Sequence, residues 1–449
     1  METTESYRDR IRYYRNTIRE HPLFDMALRE SLDRCGDITE SDEIFLHVYA
    51  PVIAMYSEWI LQRAAESGKE CLYFMARDGY MPLIAAQLLR EKLGTDIELR
   101  YLKASRYAVR RAEYAMPETD RAGSICVGGI DMTFDKMMKR GALTEDETEF
   151  IAGRSGYSDR RGCILQYREI AELCSRLKKI PEFDEYVISH SGECLENACG
   201  YFRQEGLYGD RPYAIVDSGW LGTVLKSVTH LTGQEINGYY FGLYELPAGI
   251  AGSDIESFYL SPYKDIERKT RFCICLFETV CSAPEGMTLG YCKDTVGYRA
   301  VESESPNPNA GQIKRNSELL RIFMESYEPE ENTPSVYAEF TERLLSVHMG
   351  RPTAREAEIF GRLQFCDDVL ESGMQDVAAD WDAAEIKKQD FVNKLSVKLG
   401  IKRETLKESG WPEASIVNAT DRPERALVNE RMYKRMMYLR KAAMHREKY

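Results

Sequence analysis

The residues best suited to chemistry are concentrated in Tyr213-Ala-Ile-Val-Asp-Ser-Gly-Trp-Leu-Gly-Thr-Val-Leu-Lys226. Tyr213 to Val216 are apolar or β-branched, as in a strand covered on both faces, and Asp217 stands where such a strand would leave its sheet. Gly219 and Gly222 let the backbone turn tightly and approach an anion. Thr223 offers a hydroxyl and an amide, and a helix starting there would point its positive end at the same anion. This is the outline of a phosphate cradle; an ordinary strand-to-helix turn, with Asp217 satisfying backbone amides, is the plainer alternative. In Glu70-Cys-Leu-Tyr-Phe-Met-Ala-Arg-Asp-Gly-Tyr80, Arg77 could pair with a phosphate and Asp78 could contact a hydroxyl or a metal. Ile97-Glu-Leu-Arg-Tyr-Leu-Lys-Ala-Ser-Arg106 ends in a further polar pair, Ser105 and Arg106. Singly these have plain explanations: an Arg77–Asp78 salt bridge, and a Ser105 helix cap beside a solvated arginine. Together, an arginine at each of two strand ends and a glycine-threonine cradle at a third suit a ligand with phosphate at both ends.

Positioning these groups requires three strand–turn–helix units, with Pro82 near the first turn of the helix that follows Gly79. Ile236 to Tyr244 and Ile255 to Leu260 read as later strands. The expected arrangement is an open parallel sheet over residues 67–300, with ligands at the carboxyl ends of its strands. Residues 1–66 read as helices packing on that core: Tyr7, Ile11, Tyr14 and Ile18 share a face, and Thr39-x-x-Asp42 caps a second helix in which Pro51 is a candidate kink. Residues from about 107 to 210 have a helical pattern and form an insertion, either a cap over the ligand or additional core. Cys273 to Cys281 is apolar around Glu278, and burying a lone carboxylate costs several kcal/mol unless it is paired. Glu278 is therefore a candidate on the acceptor side of the site, although Arg268, Lys269 or Arg271 could neutralise it. Val301 to Gly311 reads as a linker or exposed loop. Residues 312–449 read as a helical C-terminal region, its third helix marked by Ile359, Leu363, Phe365 and Val369.

Composition bounds the function. A chain of 449 residues can bury a large core, and its net charge of −13 argues against bulk nucleic-acid binding. The 12 cysteines include no CxxC pair, so neither a zinc site nor a disulfide framework is expected. With no signal-peptide pattern at the start and no apolar run of spanning length, a cytoplasmic protein is expected. The stretch from Arg422 to Tyr449 carries nine Lys or Arg against three Glu, with Met432, Met436, Leu439 and Ala443 on one face. Such a helix could touch the inner face of an anionic membrane or pack on the domain with its charges solvated.

Val216-Asp-Ser-Gly-Trp-Leu-Gly-Thr223 resembles the loop with which type I phosphoribosyltransferases hold the ribose 5-phosphate of phosphoribosyl pyrophosphate. It departs from that motif in having Ser218 for the second of two adjacent acids and a loop one residue shorter. Tyr73-Phe-Met-Ala-Arg-Asp-Gly-Tyr80, Ser105-Arg106, Asp217-Ser-Gly-Trp220 and Gly238-Tyr-Tyr-Phe-Gly-Leu243 more closely resemble the region that follows a HAD-type phosphatase domain in large bacterial surface-polysaccharide proteins. The resemblance spans roughly residues 40 to 300. It implies an open parallel α/β sheet of phosphoribosyltransferase type with a helical insertion and a helical C-terminal region. It also implies an enzyme that moves 5-phosphoribosyl from phosphoribosyl pyrophosphate to a lipid-linked glycan with Mg²⁺. Arg77, Gly79, Ser105 and Arg106 would bind the pyrophosphate, and Ser218, Gly219, Gly222 and Thr223 the 5-phosphate. Asp217 and Asp78 would be catalytic, with Asp78 either base or metal-side contact. The chain lacks the paired-aspartate DxDxT loop of the phosphatase, so a separate HAD-type phosphatase is the expected partner. A nucleobase-salvage phosphoribosyltransferase and a non-catalytic scaffold of a polysaccharide assembly complex are the alternatives.

Overall fold

Short apolar segments that bury both faces make a parallel sheet, and the helices between them supply the covers. The computed structural model describes residues 6–247, 249–250, 254–329, 334–366, 373–402 and 404–446. Its central strands are β1 Cys71–Met75, β2 Glu98–Leu102, β3 Tyr213–Trp220, β4 Asn237–Leu243 and β5 Ile255–Leu260. All run parallel, in the order β2-β1-β3-β4-β5. The protein is thus an open parallel α/β fold with helical additions.

Side chains alternate across the sheet. Leu72, Phe74, Ala214, Val216, Tyr239 and Phe241 enter one core, and Cys71, Tyr73, Met75, Tyr213, Ile215 and Tyr240 enter another. The helix Tyr80–Leu93, between β1 and β2, covers the first face. The helix Thr223–Thr232, between β3 and β4, covers the second. The chain's progress across the sheet therefore reverses between β1 and β3, and that reversal opens a crevice at their carboxyl ends.

The first-face core also takes in Tyr14 and Ile18 from the N-terminal helix Tyr7–Arg19, and residues as late as Trp411 and Ala414. The helices Ala310–Ser326 and Pro334–Gly350 are part of it, so the C-terminal region shares its core with the sheet. The segment Glu40–Glu66 is apolar and long enough to cross a membrane, but its most apolar window is wholly buried inside the fold. Within it the chain widens into a π turn at Phe45–Tyr49, just before Pro51 withdraws a backbone donor.

The insertion has two parts. Its first and last helices, Arg106–Glu113 and Gly192–Glu205, pack on the second face of the sheet. The residues between build a core of their own around Phe134, Met137, Ile151, Leu173 and Phe183.

Three expectations need correction or narrowing. β3 does not end at Val216: pairing continues through Gly219 with Gly242 and Trp220 with Leu243, because a glycine on each strand allows close approach. Of the two readings of 301–311, linker or exposed loop, the loop is the one found. It leaves a hairpin of β6 Thr288–Lys293 and β7 Tyr298–Glu302, buries Asn307 and starts a helix at Ala310. The third C-terminal helix stops at Gly361, and Gln364–Phe365 (β8) pairs with Gln375–Asp376 (β9); Val369 lies outside the described residues. On the C-terminal helix Glu424–Arg446, Lys434 is bonded to Glu413 at 2.6 Å and Tyr438 packs on Tyr244. Met432 and Leu439 stay exposed on its outer side.

Candidate functional site

Arg77, Asp78, Ser105, Arg106, Asp217, Gly219, Thr223 and Glu278 all line one cleft of about 200 Å³. It lies at the crevice between β1 and β3. Two helices begin on it. Ser105 caps the first: its Oγ accepts from the Ala108 amide at 3.0 Å and donates to the Thr288 carbonyl at 2.6 Å, which sets Arg106 at the first helical position. Gly222, left-handed at φ +59°, precedes the second and places Thr223 first in it. The amides at both starts and the helix dipoles favour an anion there.

The glycines act through packing. A Cβ on Gly79 would sit 2.8 Å from both the backbone nitrogen and the carbonyl oxygen of Met75. Only glycine lets the Arg77–Asp78 turn fold back on β1, where the Gly79 amide donates to the Met75 carbonyl at 2.7 Å. Gly219 has φ +105°, and a Cβ there would meet Tyr240 at 2.5 Å and the Gly242 carbonyl at 2.7 Å. Gly79, Ser218 and Gly222 stand outside the cleft lining. Ser218 is buried and donates its hydroxyl to Asp78 Oδ2, so its side chain is engaged below the cleft.

Asp217 keeps one face open to the cleft while protein surrounds the rest of it. Its backbone carbonyl accepts the Tyr56 hydroxyl at 2.8 Å, which fixes the strand end. Burial, and then the neighbouring Asp78 carboxylate, push the Asp217 carboxyl up to about 8, against the weaker pull of the Ser218 amide and the Arg106 guanidinium. Among the described residues no group of three acids, histidines or cysteines could hold a metal. Asp78 and Asp217 are the residues that would hold a Mg²⁺ ion here, and such an ion would supply positive charge beside a bound phosphate.

Trp220 is left-handed at φ +66°, a conformation costing a non-glycine residue roughly 1–2 kcal/mol. Its ring packs among Phe241, Tyr244, Phe272 and Phe277, and its indole N–H donates to Glu278 Oε1 at 2.6 Å. Of the cations expected near Glu278, Arg268 pairs with Glu342 at 2.8 Å and Lys269 donates to the Ser261 carbonyl at 2.5 Å.

Sequence reasoning missed the rest of the wall. Asn307, Asn309 and Gln364 line the cleft, as do Thr279 of the helix Ile274–Cys281 and Ser282 just after it. The Asn309 side-chain amide donates to the Gln364 carbonyl at 2.6 Å and its Oδ1 accepts the Gln364 amide at 3.0 Å. Asn307-Pro-Asn309 was a visible signal, since asparagine side chains beside proline commonly tie down backbone. The insertion brings only Arg106 and Tyr107 to the lining, so it is not a cap over this cleft. A second cavity, about 470 Å³ and bordered by Tyr167, Trp381 and Tyr433, lies between the insertion and the C-terminal region and contains none of the strand-end residues. Comparison of the sequence with protein-family models and with curated proteins finds no match.

Proposed function

We propose that the protein is a phosphoribosyltransferase that moves 5-phosphoribosyl from phosphoribosyl pyrophosphate to a glycan hydroxyl and releases pyrophosphate. The observation that supports it is the convergence of Arg77, Arg106 and two helix N-termini on a cleft floored by Asp78 and Asp217. Cations and amides match phosphate at both ends of the donor, and the carboxylates match the centre where positive charge develops.

Pyrophosphate leaves C1 of the ribose as an acceptor hydroxyl attacks, through an oxocarbenium-like state. Arg77, Arg106 and the amides after Ser105 would stabilise the leaving group. Thr223, the amides that begin its helix and the Gly219 backbone would anchor the 5-phosphate, so that binding energy remote from C1 orients it. Asp217 would stabilise positive charge at C1 or bind the ribose hydroxyls. Mg²⁺ on Asp78 and Asp217 would share the charge of the pyrophosphate. The product retains its 5-phosphate, which a separate HAD-type phosphatase would remove. The resemblance set out above assigns the setting: surface-polysaccharide biosynthesis on a lipid-linked acceptor at the inner face of the membrane, which the exposed side of the C-terminal helix could touch.

Calorimetric titration with phosphoribosyl pyrophosphate and Mg²⁺, followed by a pyrophosphate-release assay, tests this reading. Donor binding with release on adding glycan acceptors is the expected result. Release with a nucleobase alone would move the protein to salvage, and absence of donor binding would refute the enzyme reading in favour of a scaffold.

A further inference from the structure

The cleft straddles the sheet edge, and its two halves differ in chemistry. Strand alternation turns Asp217 toward the second face, the side on which the Arg106 and Thr223 helices begin. It turns Ser218 and Trp220 toward the first face, where Trp220 packs with Phe277 of the helix that carries Glu278. On that side the described cleft also carries Thr279, Ser282, Asn307, Asn309 and Gln364, the Cys366 thiol, and Asp78, which the Ser218 hydroxyl holds. Two helix N-termini thus mark one half, while hydroxyls and carboxamides gather around Glu278 in the other. Hydroxyls and carboxamides suit a polyhydroxyl acceptor, and Glu278 is the carboxylate set among them.

Glu278 is also held in place. The Trp220 indole is wedged among aromatic rings on a backbone in the left-handed region and delivers its N–H to the carboxylate at 2.6 Å. Asp78 accepts the Ser218 hydroxyl, lies beside Asp217 and has the metal-side role given above. Among the described residues, Arg77, Arg106, Tyr107 and Cys366 are the remaining charged or titratable groups lining the same cleft.

We propose that Glu278 accepts the proton of the attacking acceptor hydroxyl and that Trp220 is the residue that positions it. This rests on the donor reading above. As the acceptor oxygen bonds to C1, the bond from C1 to the pyrophosphate oxygen breaks and its electron pair leaves with pyrophosphate. The hydroxyl proton passes to Glu278 and from there to water. Base catalysis of this kind contributes about 10²–10⁴-fold.

The test measures donor affinity and pyrophosphate release with methyl glycosides of glucose, galactose, N-acetylglucosamine and rhamnose as acceptor probes. Glu278→Gln should lower kcat at least about 100-fold and leave donor affinity within about twofold of wild type. Formate should restore part of the activity of Glu278→Ala by standing in for the missing carboxylate. Trp220→Phe keeps the aromatic packing and removes only the N–H; it should lower kcat without weakening donor binding. The inference is overturned if donor still binds and Glu278→Gln turns over within about threefold of wild type, if that variant loses the donor as well, or if formate restores nothing. A wild-type protein that fails to bind phosphoribosyl pyrophosphate would refute the donor reading, and this inference with it.

Discussion

Replacing Asp217 with asparagine should make the protein more stable while abolishing its activity. The Asp217 carboxyl is moved from 3.8 to about 8 by burial and by Asp78. Each unit corresponds to about 1.4 kcal/mol, so roughly 6 kcal/mol stands against the ionised form, and water entering an open cleft reduces the realised part to roughly 2–3 kcal/mol. Below pH 3.8 the group is protonated in both folded and unfolded chains and contributes nothing. Between 3.8 and about 8 the unfolded chain loses the proton that the folded one retains, so folded stability falls as pH rises; above about 8 the penalty is constant. Asparagine keeps the shape and an acceptor oxygen but never ionises. Urea unfolding at pH 5, 7 and 9, followed by tryptophan fluorescence, should show the gap between Asp217→Asn and wild type widen from pH 5 to 8 and then level off. Saturating Mg²⁺ and phosphoribosyl pyrophosphate should lower the effective pKa and narrow the gap. A variant no more stable than wild type at pH 9, or a gap independent of pH, would refute the assignment of Asp217 as a carboxyl strained by its surroundings.

Gly79→Ala should cost roughly 2–4 kcal/mol and weaken donor binding, because its methyl would sit 2.8 Å from backbone atoms of Met75 that cannot yield; thermal unfolding and donor titration measure both effects. Asn309→Ala removes the pair of hydrogen bonds that ties β8 to the cleft rim. It should cost roughly 1–3 kcal/mol and raise KM for the acceptor more than for the donor, as steady-state kinetics varying each substrate in turn would read.

The strand-end half of the cleft was legible in the sequence because it obeys local rules. A buried run followed by polar residues and a helix start marks a strand end, and in a parallel sheet all such ends fall on one edge. Arg77, Ser105 and Asp217 could therefore be assigned to one rim without coordinates. Gly219 misled for a physical reason: its φ of +105° resembles that of a loop residue, but the ladder with Gly242 continues across it, and the glycine serves strand contact. The opposite wall was not legible. Asn307, Asn309 and Gln364 come from segments outside the sheet, and their placement depends on how the C-terminal helices dock. Nor did periodicity show that the middle of the insertion would gather around Phe134 and Phe183 and leave the cleft uncovered.

The first face of the sheet shares its core with residues at both ends of the chain, from Tyr14 to Ala414. During synthesis all five strands have emerged by Leu260, yet the helices that complete their cover come at least 50 residues later, beginning at Ala310. At about 5–20 residues per second, the interval leaves Phe241 and its neighbours incompletely buried for several seconds. A nascent chain in that state would be a natural client for a holding chaperone. Ribosome-stalled chains ending near residue 300 should be cut by protease within the sheet, whereas the finished protein should resist.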